Sequence, residues 1–554
     1  MRPLMGWVMG GALMMGPLIG GALPGVLPAA LPQAAPRIAA PQAASGQRNL
    51  PAGPRNVLLI LADDLGWRDS SVYGSPSYQT PNLERLAHAG MKFTDAYAAS
   101  PACSPTRASI LTGKYPQRLG LTSTILSSRT GGETATPQPS FFPWARLAAS
   151  PGIPHLPPGE RTIAEAVKGG GPYRTCFLGK WHLGGEAWFP GTEGFDTSIA
   201  ATAQSAPPSY FSPYHIPTLP DGPEGEYLTD RLTDEVIRYL RDHDRTQPFL
   251  LFLWHFSVHG PFQAEPALVQ KCRERINPSF HQRNPVYAAM IQSLDESLGR
   301  ILDALDELEL ASNTIVLFTS DNGGLIHDRA GLVTSNAPLR GEKTTLYEGG
   351  VRVPLVVRWP GVVPPGTECD QPVSSIDFYP TILEIAGVSE PGTAAVDGES
   401  LLPLLTQTGP LKRDALFWHF PHYFVRFVQK EPPPETPAAE NDSGLPAPQP
   451  EELADIELVM TPASAVRKGS FKLIKFYEGP AFELYDLAND IGEQNNLASA
   501  MPDKVLELDT LLRRHIEEVG ARVPDKNPRY VEGYTVQDMY RRVTRQKKNL
   551  DSDK

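Results

Sequence analysis

The chain has 554 residues, 41% hydrophobic and 20% charged, a balance that excludes a mainly disordered protein and allows a large core beside a smaller second domain. Acidic residues outnumber basic ones by 62 to 50, giving a net charge of −12, which argues against nucleic acid as a partner. Four cysteines are too few for a disulfide scaffold, and 57 prolines without a glycine period exclude collagen and predict long irregular connections.

The first 50 residues have the layout of an export signal. Arg2 is the only charge before Arg37, residues 4–27 are apolar and rich in glycine, and a Pro/Ala-rich stretch runs to about residue 45. A retained membrane anchor is the alternative, but glycine and proline dilute the run and no basic cluster follows it. We therefore predict a cleaved signal and leader over residues 1–48, with no stable membrane span afterwards.

The next segments alternate between strand and helix patterns. Residues 56–62 (NVLLILA) predict a strand buried on both faces, and residues 81–90 predict a short helix. A longer helical pattern at 229–242 precedes an apolar strand at 249–254, and a second one at 286–310 precedes a strand at 314–319. A further strand is predicted at 355–359. This order predicts an α/β fold with a large, mostly parallel sheet between helices.

The remaining segments are looser. Residues 127–159 predict a long irregular loop, residues 430–452 a disordered Pro-rich insert, and residues 540–554 a frayed tail. Short strands at 465–475 and 482–484, with a helix at 505–519, predict a small C-terminal α+β domain with an antiparallel sheet. The predicted domains are residues 49–405 (catalytic), 406–535 (C-terminal) and 536–554 (polar tail).

Two of the predicted strands end in oxygen-bearing side chains. Asp63 and Asp64 follow the first strand, and Asp321 and Asn322 follow the strand at 314–319. Ligands collect beyond the carboxyl ends of parallel strands, and carboxylate and amide oxygens suit Ca²⁺ or Mg²⁺. Each aspartate taken alone is more often a turn former or a helix cap.

A third motif is Cys-x-Pro-x-Arg at Cys103 to Arg107, followed by ASILTG. A lone cysteine beside an arginine is usually an inert thiol, but this pattern resembles the type I sulfatase signature. The resemblance extends through LADDLGW, GKWHLG, VHGPF, SDNGG and EKTTLYEGGVRVP to LYDLANDIGEQNNLA, in the family's order and over residues 55–498. Thr106 departs from the commoner serine, a change that we expect the maturation enzyme to tolerate.

The resemblance implies an alkaline-phosphatase-like fold and a sulfuric ester hydrolase. Cys103 would be converted to Cα-formylglycine by a formylglycine-generating or anaerobic sulfatase-maturating enzyme, and its hydrated form would attack sulfur. The implied ligands of a divalent ion, Ca²⁺ in preference to Mg²⁺, are Asp63, Asp64, Asp321, Asn322 and residue 103. Arg107 would hold this network, Lys180, Lys343 and His259 would bind sulfate, His259 with Lys343 would protonate the leaving alcohol, and His182 would act as the base.

The overall pattern also resembles bacterial carbohydrate sulfatases, N-acetylgalactosamine-4-sulfatase and arylsulfatase A. Together with the predicted export signal, it implies an exported enzyme, periplasmic or extracellular, that acts at a chain end on a sulfated sugar of the galactose or N-acetylgalactosamine type, as in polysaccharide degradation. We expect the pocket to be lined by residues 127–159, 200–222 and 263–285, which carry Trp144, Arg146, Tyr210, Phe211, Tyr214 and His215. His255 and His327 are weaker candidates for substrate contact. The alternatives are a phosphoester or phosphonate hydrolase of the same superfamily and a non-catalytic glycan-binding protein.

Overall fold

A computed structural model describes residues 55–125, 142–148, 150–328, 331–389, 395–429 and 453–542. Its strands are β1 (Asn56–Ala62), β2 (Met91–Phe93), β3 (Ala96–Tyr97), β4 (Arg174–Gly179), β5 (Thr197–Ile199), β6 (Phe249–Trp254), β7 (Thr314–Ser320), β8 (His327–Asp328), β9 (Gly331–Leu332), β10 (Leu355–Arg358), β11 (Thr367–Cys369), β12 (Val373–Ser374), β13 (Ala415–Phe420), β14 (Phe424–Gln429), β15 (Leu453–Met460), β16 (Ala463–Lys468), β17 (Phe471–Phe476) and β18 (Phe482–Asp486).

The α-helices are α1 (Pro81–His88), α2 (Cys103–Thr112), α3 (Pro116–Leu119), α4 (Ile163–Gly170), α5 (Leu228–Asp242), α6 (Pro266–Arg275), α7 (Pro285–Glu307), α8 (Glu348–Val351), α9 (Phe378–Ala386), α10 (Leu402–Leu405) and α11 (Pro502–Glu518). Short 3₁₀ turns lie at Ser71–Tyr73, Glu186–Trp188, Ala311–Asn313 and Ser375–Asp377. Within the described ranges, no helix has the length and apolar character needed to cross a bilayer.

The central sheet has eight strands in the order β11-β2-β10-β7-β1-β6-β4-β5. The five strands from β7 to β5 run parallel, whereas β10 is antiparallel to both of its neighbours, β7 and β2. The strands β1, β6 and β7 are buried along their whole length, as their unbroken apolar runs predict. The prediction of a large, mostly parallel mixed sheet is confirmed.

Helices cover both faces of this sheet, because alternate side chains of β1 pack against two different groups of helices. Leu58 and Ile60 join the apolar cluster that contains the buried residues of α5 and α7, whereas Val57, Leu59 and Leu61 join the cluster of α2, α4 and α9. The longest helix, α7, begins at Pro285 because the side chain of Asn284 accepts hydrogen bonds from two backbone amides of its first turn. The sheet therefore has a core on each side.

The C-terminal part forms a smaller antiparallel sheet, β13-β16-β17-β18, against which α11 packs through Leu508 and Leu512. This confirms the predicted antiparallel sheet, and the helix expected at 505–519 runs from Pro502 to Glu518. Residues 536–542 are helical, which differs from the frayed tail expected from residue 540. The predicted export signal, the Pro-rich insert at 430–452, residues 127–141 and 149 of the expected loop and the last residues of the tail lie outside the described residues.

Ion pairs join this smaller sheet to α8 and to the turn between β2 and β3. Lys472 of β17 lies 2.8 Å from a carboxylate oxygen of Glu348 and 3.0 Å from one of Glu493, and all three side chains are inaccessible to solvent. Arg352 pairs with Glu348 at 2.7 Å, and Arg467 of β16 lies 2.7 Å from Asp95. We call these residues, Asp95, Glu348, Arg352, Arg467, Lys472 and Glu493, the subdomain ion network.

Candidate active site

The oxygen-bearing side chains predicted from the strand ends converge. Ala62 of β1 is in register with Ser320 of β7, so the next residues along each strand, Asp63 and Asp321, leave the sheet at the same edge. Asp64 follows with a positive φ of 61°, and its backbone amide donates to Oδ1 of Asp321 at 3.1 Å. Asn322 donates its side-chain amide to Oδ1 of Asp64 at 2.8 Å. Adjacent parallel strands thus supply all four side chains.

Cys103 completes this cluster from another element. It is the first residue of α2, and its Sγ lies 3.9 Å from Oδ1 of Asp64. One donor atom from each of Asp63, Asp64, Cys103 and Asp321 lies within 4.8 Å of all the others. Arg107, one turn along α2, donates to Oδ2 of Asp321 at 2.6 and 3.0 Å and to the carbonyl of Lys180 at 2.8 Å. The buried arginine therefore connects the helix to both neighbouring loops.

Two buried oxygens of the cluster accept no hydrogen bond from any residue that the structure describes. They are Oδ1 of Asp63 and Oδ1 of Asn322, and Arg107 Nη2 lies 3.5 Å from the first. A buried acceptor without a donor is costly unless a cation takes the place of the donor. Carboxylate and amide oxygens are hard ligands of the kind that Ca²⁺ and Mg²⁺ take, so the residues fit a divalent ion.

The charges in the site balance before any ion or substrate binds. Lys180 Nζ lies 2.6 Å from Asp63, Lys343 Nζ lies 2.7 Å from Asp64, and Arg107 pairs with Asp321. Burial raises the pKa of Asp63 to about 7, partly offset by Lys180, whereas Lys343 and His259 hold the pKa of Asp64 well below its usual value against the effect of burial. Because three cations already match three carboxylates, a divalent cation would make the site positive and favourable to an anion.

The two predicted histidines differ in their contacts. Nε2 of His182 lies 2.8 Å from the carbonyl oxygen of Ile125, while its Nδ1 is buried and has no hydrogen-bond partner within the described ranges. Burial, assisted by Lys180, lowers the pKa of His182 well below its usual value, so the ring is neutral. If Nε2–H donates to this carbonyl, Nδ1 carries the lone pair. His182 can therefore accept a proton at Nδ1.

His259 lies at the more open side of the site. Its Nδ1 is 2.8 Å from the carbonyl oxygen of Gly260, and its Nε2 is 3.7 Å from Oδ2 of Asp64. One fifth of its side chain is exposed, whereas Lys180 and Asp63 are inaccessible. Burial lowers the pKa of His259 to about 3, assisted by Lys343. A bound anion would favour the protonated ring.

Comparison with known proteins identifies the family. A family model described as Sulfatase matches residues 55–388. The N-acetylgalactosamine-6-sulfatase of Sus scrofa is 34% identical over 389 residues, which cover 66% of this chain and 68% of that protein. The chain belongs to the sulfatase family. A protein of Formosa agariphila named Sulfatase is 30% identical over 556 residues, covering 86% of this chain and 91% of that one.

Solved structures confirm the fold of this sulfatase. The structure of Ps i-CgsB in complex with k-i-k-neocarrahexaose has a TM-score of 0.65 at 24% identity and covers 89% of this chain and 97% of that one. The phosphonate monoester hydrolase of Agrobacterium radiobacter has a TM-score of 0.57 at 21% identity, with 84% and 96% covered. Membership of the sulfatase family makes the chain an enzyme of the sulfuric ester hydrolase type. Its fold also occurs in a phosphonate hydrolase.

Several residues expected near the substrate lie elsewhere in this sulfatase. Tyr210 and Tyr214 are buried in the core, where the hydroxyl of Tyr210 donates to the carbonyls of Phe256 and His259 and so supports the loop that carries His259. His255 is buried, and its Nε2 lies 3.3 Å from the hydroxyl of Ser297. Tyr210 therefore supports the site through the backbone of the loop that carries His259, whereas Tyr214 and His255 are buried in the core.

The sequence interpretation missed Asp69, which holds the loop after β1. Its buried carboxylate accepts four hydrogen bonds, from Gly66 N at 3.0 Å, Tyr287 Oη at 2.8 Å, Thr334 Oγ1 at 2.7 Å and Gln282 Nε2 at 2.9 Å. Tyr287 Oη also lies 3.3 Å from the carbonyl oxygen of Asp64. The only sequence signal was the position of Asp69 in the Asp63–Asp64 loop, because three of the four donors lie more than 200 residues away.

Proposed function

We propose that this sulfatase removes sulfate from a sulfated carbohydrate of the galactose or N-acetylgalactosamine type, acting at a chain end. The named activity of the N-acetylgalactosamine-6-sulfatase from Sus scrofa supports this sugar type. The observation that carries the proposal is the convergence of Asp63, Asp64, Cys103 and Asp321 beside two lysines and two histidines. This arrangement suits a tetrahedral anion whose ester bond must be broken.

The proposed nucleophile is formylglycine derived from Cys103 by a maturation enzyme. Burial raises the pKa of the unconverted thiol to about 12, so the thiol itself is a poor nucleophile at neutral pH. In the hydrated aldehyde, one hydroxyl loses its proton to a carboxylate of the cluster and its oxygen attacks sulfur, while the bond from sulfur to the sugar oxygen breaks and that oxygen leaves with a proton from His259 or Lys343. His182 then takes the proton of the second hydroxyl at Nδ1, the C–O bond to sulfate breaks, and the aldehyde is restored.

Other residues of the chain supply binding and position. Lys180 and Lys343 neutralise sulfate oxygens, and Arg107 fixes Asp321 and the start of the loop after β4. Asp63, Asp64, Asp321 and Asn322 would hold the divalent ion, which we propose to be Ca²⁺. When bound, this ion supplies charge stabilisation to the nucleophile and to a sulfate oxygen.

We also propose that the protein is exported and works in the periplasm or outside a bacterial cell, in the breakdown of sulfated polysaccharides. The layout of residues 1–48 supports export. The match to the sulfatase of Formosa agariphila, which covers 86% of this chain, supports a bacterial origin for the protein.

The alternative is hydrolysis of a phosphoester or phosphonate ester, because a phosphonate monoester hydrolase shares this fold. Lys180, His182, His259 and Lys343 together favour a sulfate ester, which carries one negative charge, over a phosphate monoester, which carries up to two. A phosphonate monoester also carries one negative charge, so rate measurements on both esters distinguish them. A glycan-binding protein without catalysis would not need the complete set of reactive groups around Cys103.

Mass spectrometry of the tryptic peptide 93–107, combined with rate measurements on 4-nitrophenyl sulfate and on 4-nitrophenyl phenylphosphonate, tests the proposal. Conversion of Cys103 replaces sulfur by oxygen and removes two hydrogens from the peptide. We expect the converted peptide and faster release of 4-nitrophenol from the sulfate. An unconverted thiol in a host that matures other sulfatases would contradict the mechanism, and preference for the phosphonate ester would contradict the substrate.

A further inference from the structure

A group of aromatic side chains and one arginine lies on the surface formed by residues 142–148 and the C-terminal part of the chain. The rings of Phe142 and Trp144 stack, with centroids 5.6 Å apart and planes inclined by 16°. Tyr423 packs edge-on against Trp144 at 5.0 Å. The guanidinium carbon of Arg146 lies 5.5 Å from the ring centre of Tyr530. We call Phe142, Trp144, Arg146, Tyr423 and Tyr530 the aromatic shelf.

The shelf is held by backbone hydrogen bonds. The side-chain amide of Asn527 donates to the carbonyls of Phe142 and Ala145 at 2.8 and 2.6 Å, and its backbone amide donates to the carbonyl of Arg146 at 2.8 Å. The backbone amide of Leu147 donates to the hydroxyl of Tyr423 at 2.9 Å. A surface fixed in this way loses little conformational entropy when it binds a ligand.

Two members of the shelf are open to solvent. Phe142 is 38% exposed, and the side chain of Arg146 is 65% exposed. Among the described residues, Arg146 has one carboxylate within 4.0 Å, that of Glu478, which also accepts a hydrogen bond from the hydroxyl of Tyr423. Arg146 is therefore weakly paired and can make a bidentate contact with an anion such as a sulfate or a carboxylate.

A short path of contacts connects the shelf to the catalytic centre. The carbonyl oxygen of Ile125 lies within hydrogen-bond distance of Nε2 of His182. The backbone amide of Ile125 donates to the hydroxyl of Ser104, the neighbour of Cys103. Three residues before Ile125, the hydroxyl of Thr122 lies 2.9 Å from Nε2 of His422, and Tyr423 of the shelf comes next in the chain. The shelf therefore lies beside the segment that lines the site.

We infer that the aromatic shelf is a second binding subsite, which holds the next sugars of a sulfated saccharide chain while its terminal sulfate ester occupies the catalytic centre. This inference rests on the proposed function. The apolar face of a pyranose ring fits the face of Phe142, and an anionic group of a following sugar pairs with Arg146. The shelf continues from the segment that carries Ile125 beside the catalytic centre, so a saccharide chain that starts in the centre fits it better than a second copy of the chain.

The test compares one reaction on a short and a long substrate. The substrates are the 6-sulfated N-acetylgalactosamine monosaccharide and a chondroitin 6-sulfate oligosaccharide of six sugars. For a Phe142→Ala/Arg146→Gln variant, we expect the ratio of kcat/KM for the oligosaccharide to that for the monosaccharide to fall about tenfold, through KM of the oligosaccharide.

Matched controls come from the same protein. Phe280 is also 38% exposed and the side chain of Arg238 is 60% exposed, so Phe280→Ala/Arg238→Gln removes similar groups from other surfaces. An unchanged ratio in the shelf variant, or an equal fall in the control variant, would overturn the inference.

Binding measurements separate this inference from the proposed function. If the wild-type enzyme hydrolyses neither sugar, the proposed substrate is wrong, and calorimetric titration with the same oligosaccharide still tests the shelf. Support then requires binding of the oligosaccharide that the shelf variant weakens about tenfold and that the control variant leaves unchanged. Equal binding by variant and wild type, or a dimer in sedimentation that only the shelf variant dissociates, would refute a saccharide subsite.

Discussion

The carboxylate of Asp69 offers a quantitative test of how the loop after β1 is held. In the unsubstituted protein each carboxylate oxygen of Asp69 accepts two hydrogen bonds, Oδ1 from Thr334 and Gln282 and Oδ2 from Gly66 and Tyr287. Asp69→Asn replaces one of these oxygens by an NH₂ group, which cannot accept them. Either amide orientation loses two of the four bonds. At about 1.5–3 kcal/mol for each bond to a charged group, the loss is about 3–6 kcal/mol. Burial raises the pKa of Asp69, so the neutral amide recovers part of this cost, and we expect a net loss of about 3 kcal/mol.

The assay is urea unfolding followed by tryptophan fluorescence, with the refolded fraction checked so that the free energy of unfolding is defined. Thr334→Val is the control, because at nearly constant volume it removes one donor to Asp69 together with the 3.2 Å contact between Thr334 Oγ1 and the hydroxyl of Tyr78, and it should cost about 2 kcal/mol. A loss for Asp69→Asn that does not exceed the loss for Thr334→Val would refute the view that all four bonds converge on an ionised carboxylate.

Three further predictions concern the site. Dialysis against EDTA should abolish hydrolysis of 4-nitrophenyl sulfate and Ca²⁺ should restore it, with Asp321→Asn requiring more Ca²⁺ for half recovery; activity that persists after chelation would exclude a metal role. His182→Ala should release about one equivalent of 4-nitrophenol in a burst and then turn over about 10²–10⁴ times more slowly, because only the second step lacks its base, and the absence of a burst would contradict the assigned order. In unconverted protein, burial raises the pKa of Cys103 to about 12, so the thiol stays protonated at pH 8 and iodoacetamide should label it only after unfolding in urea; rapid labelling of the native protein at pH 8 would contradict this.

The sequence predicted the metal-type cluster well because one geometric rule is sufficient for it. Apolar runs long enough to be buried strands end at Asp63 and Asp321, and parallel neighbours bring their carboxyl ends together. The bounds of β1 and β6 agree with the predicted residues 56–62 and 249–254, since both runs are unbroken and bordered by polar residues. Strands encoded by a continuous apolar run can therefore be predicted from the sequence alone.

Contacts between distant segments were not predictable in the same way. The carbonyl of Ile125 that orients His182 is a backbone group, and no residue type indicates it. The aromatic residues Tyr210 and Tyr214 looked suitable for a sugar pocket, but aromatic side chains serve the core equally well, and their burial follows from packing that the sequence does not reveal. The donors of Asp69 belong to the same class of long-range contact.

The subdomain ion network has a consequence for exchanging parts between sulfatases. The family model ends at residue 388, which invites recombination of the matched region with another C-terminal sheet. Glu348, inside that region, has Lys472 of the smaller sheet as a buried partner, and removing one member of a buried ion pair costs about 3–5 kcal/mol. A chimera joined after residue 388 therefore needs a lysine at the position of Lys472 in its new sheet, so that Glu348 keeps this buried partner.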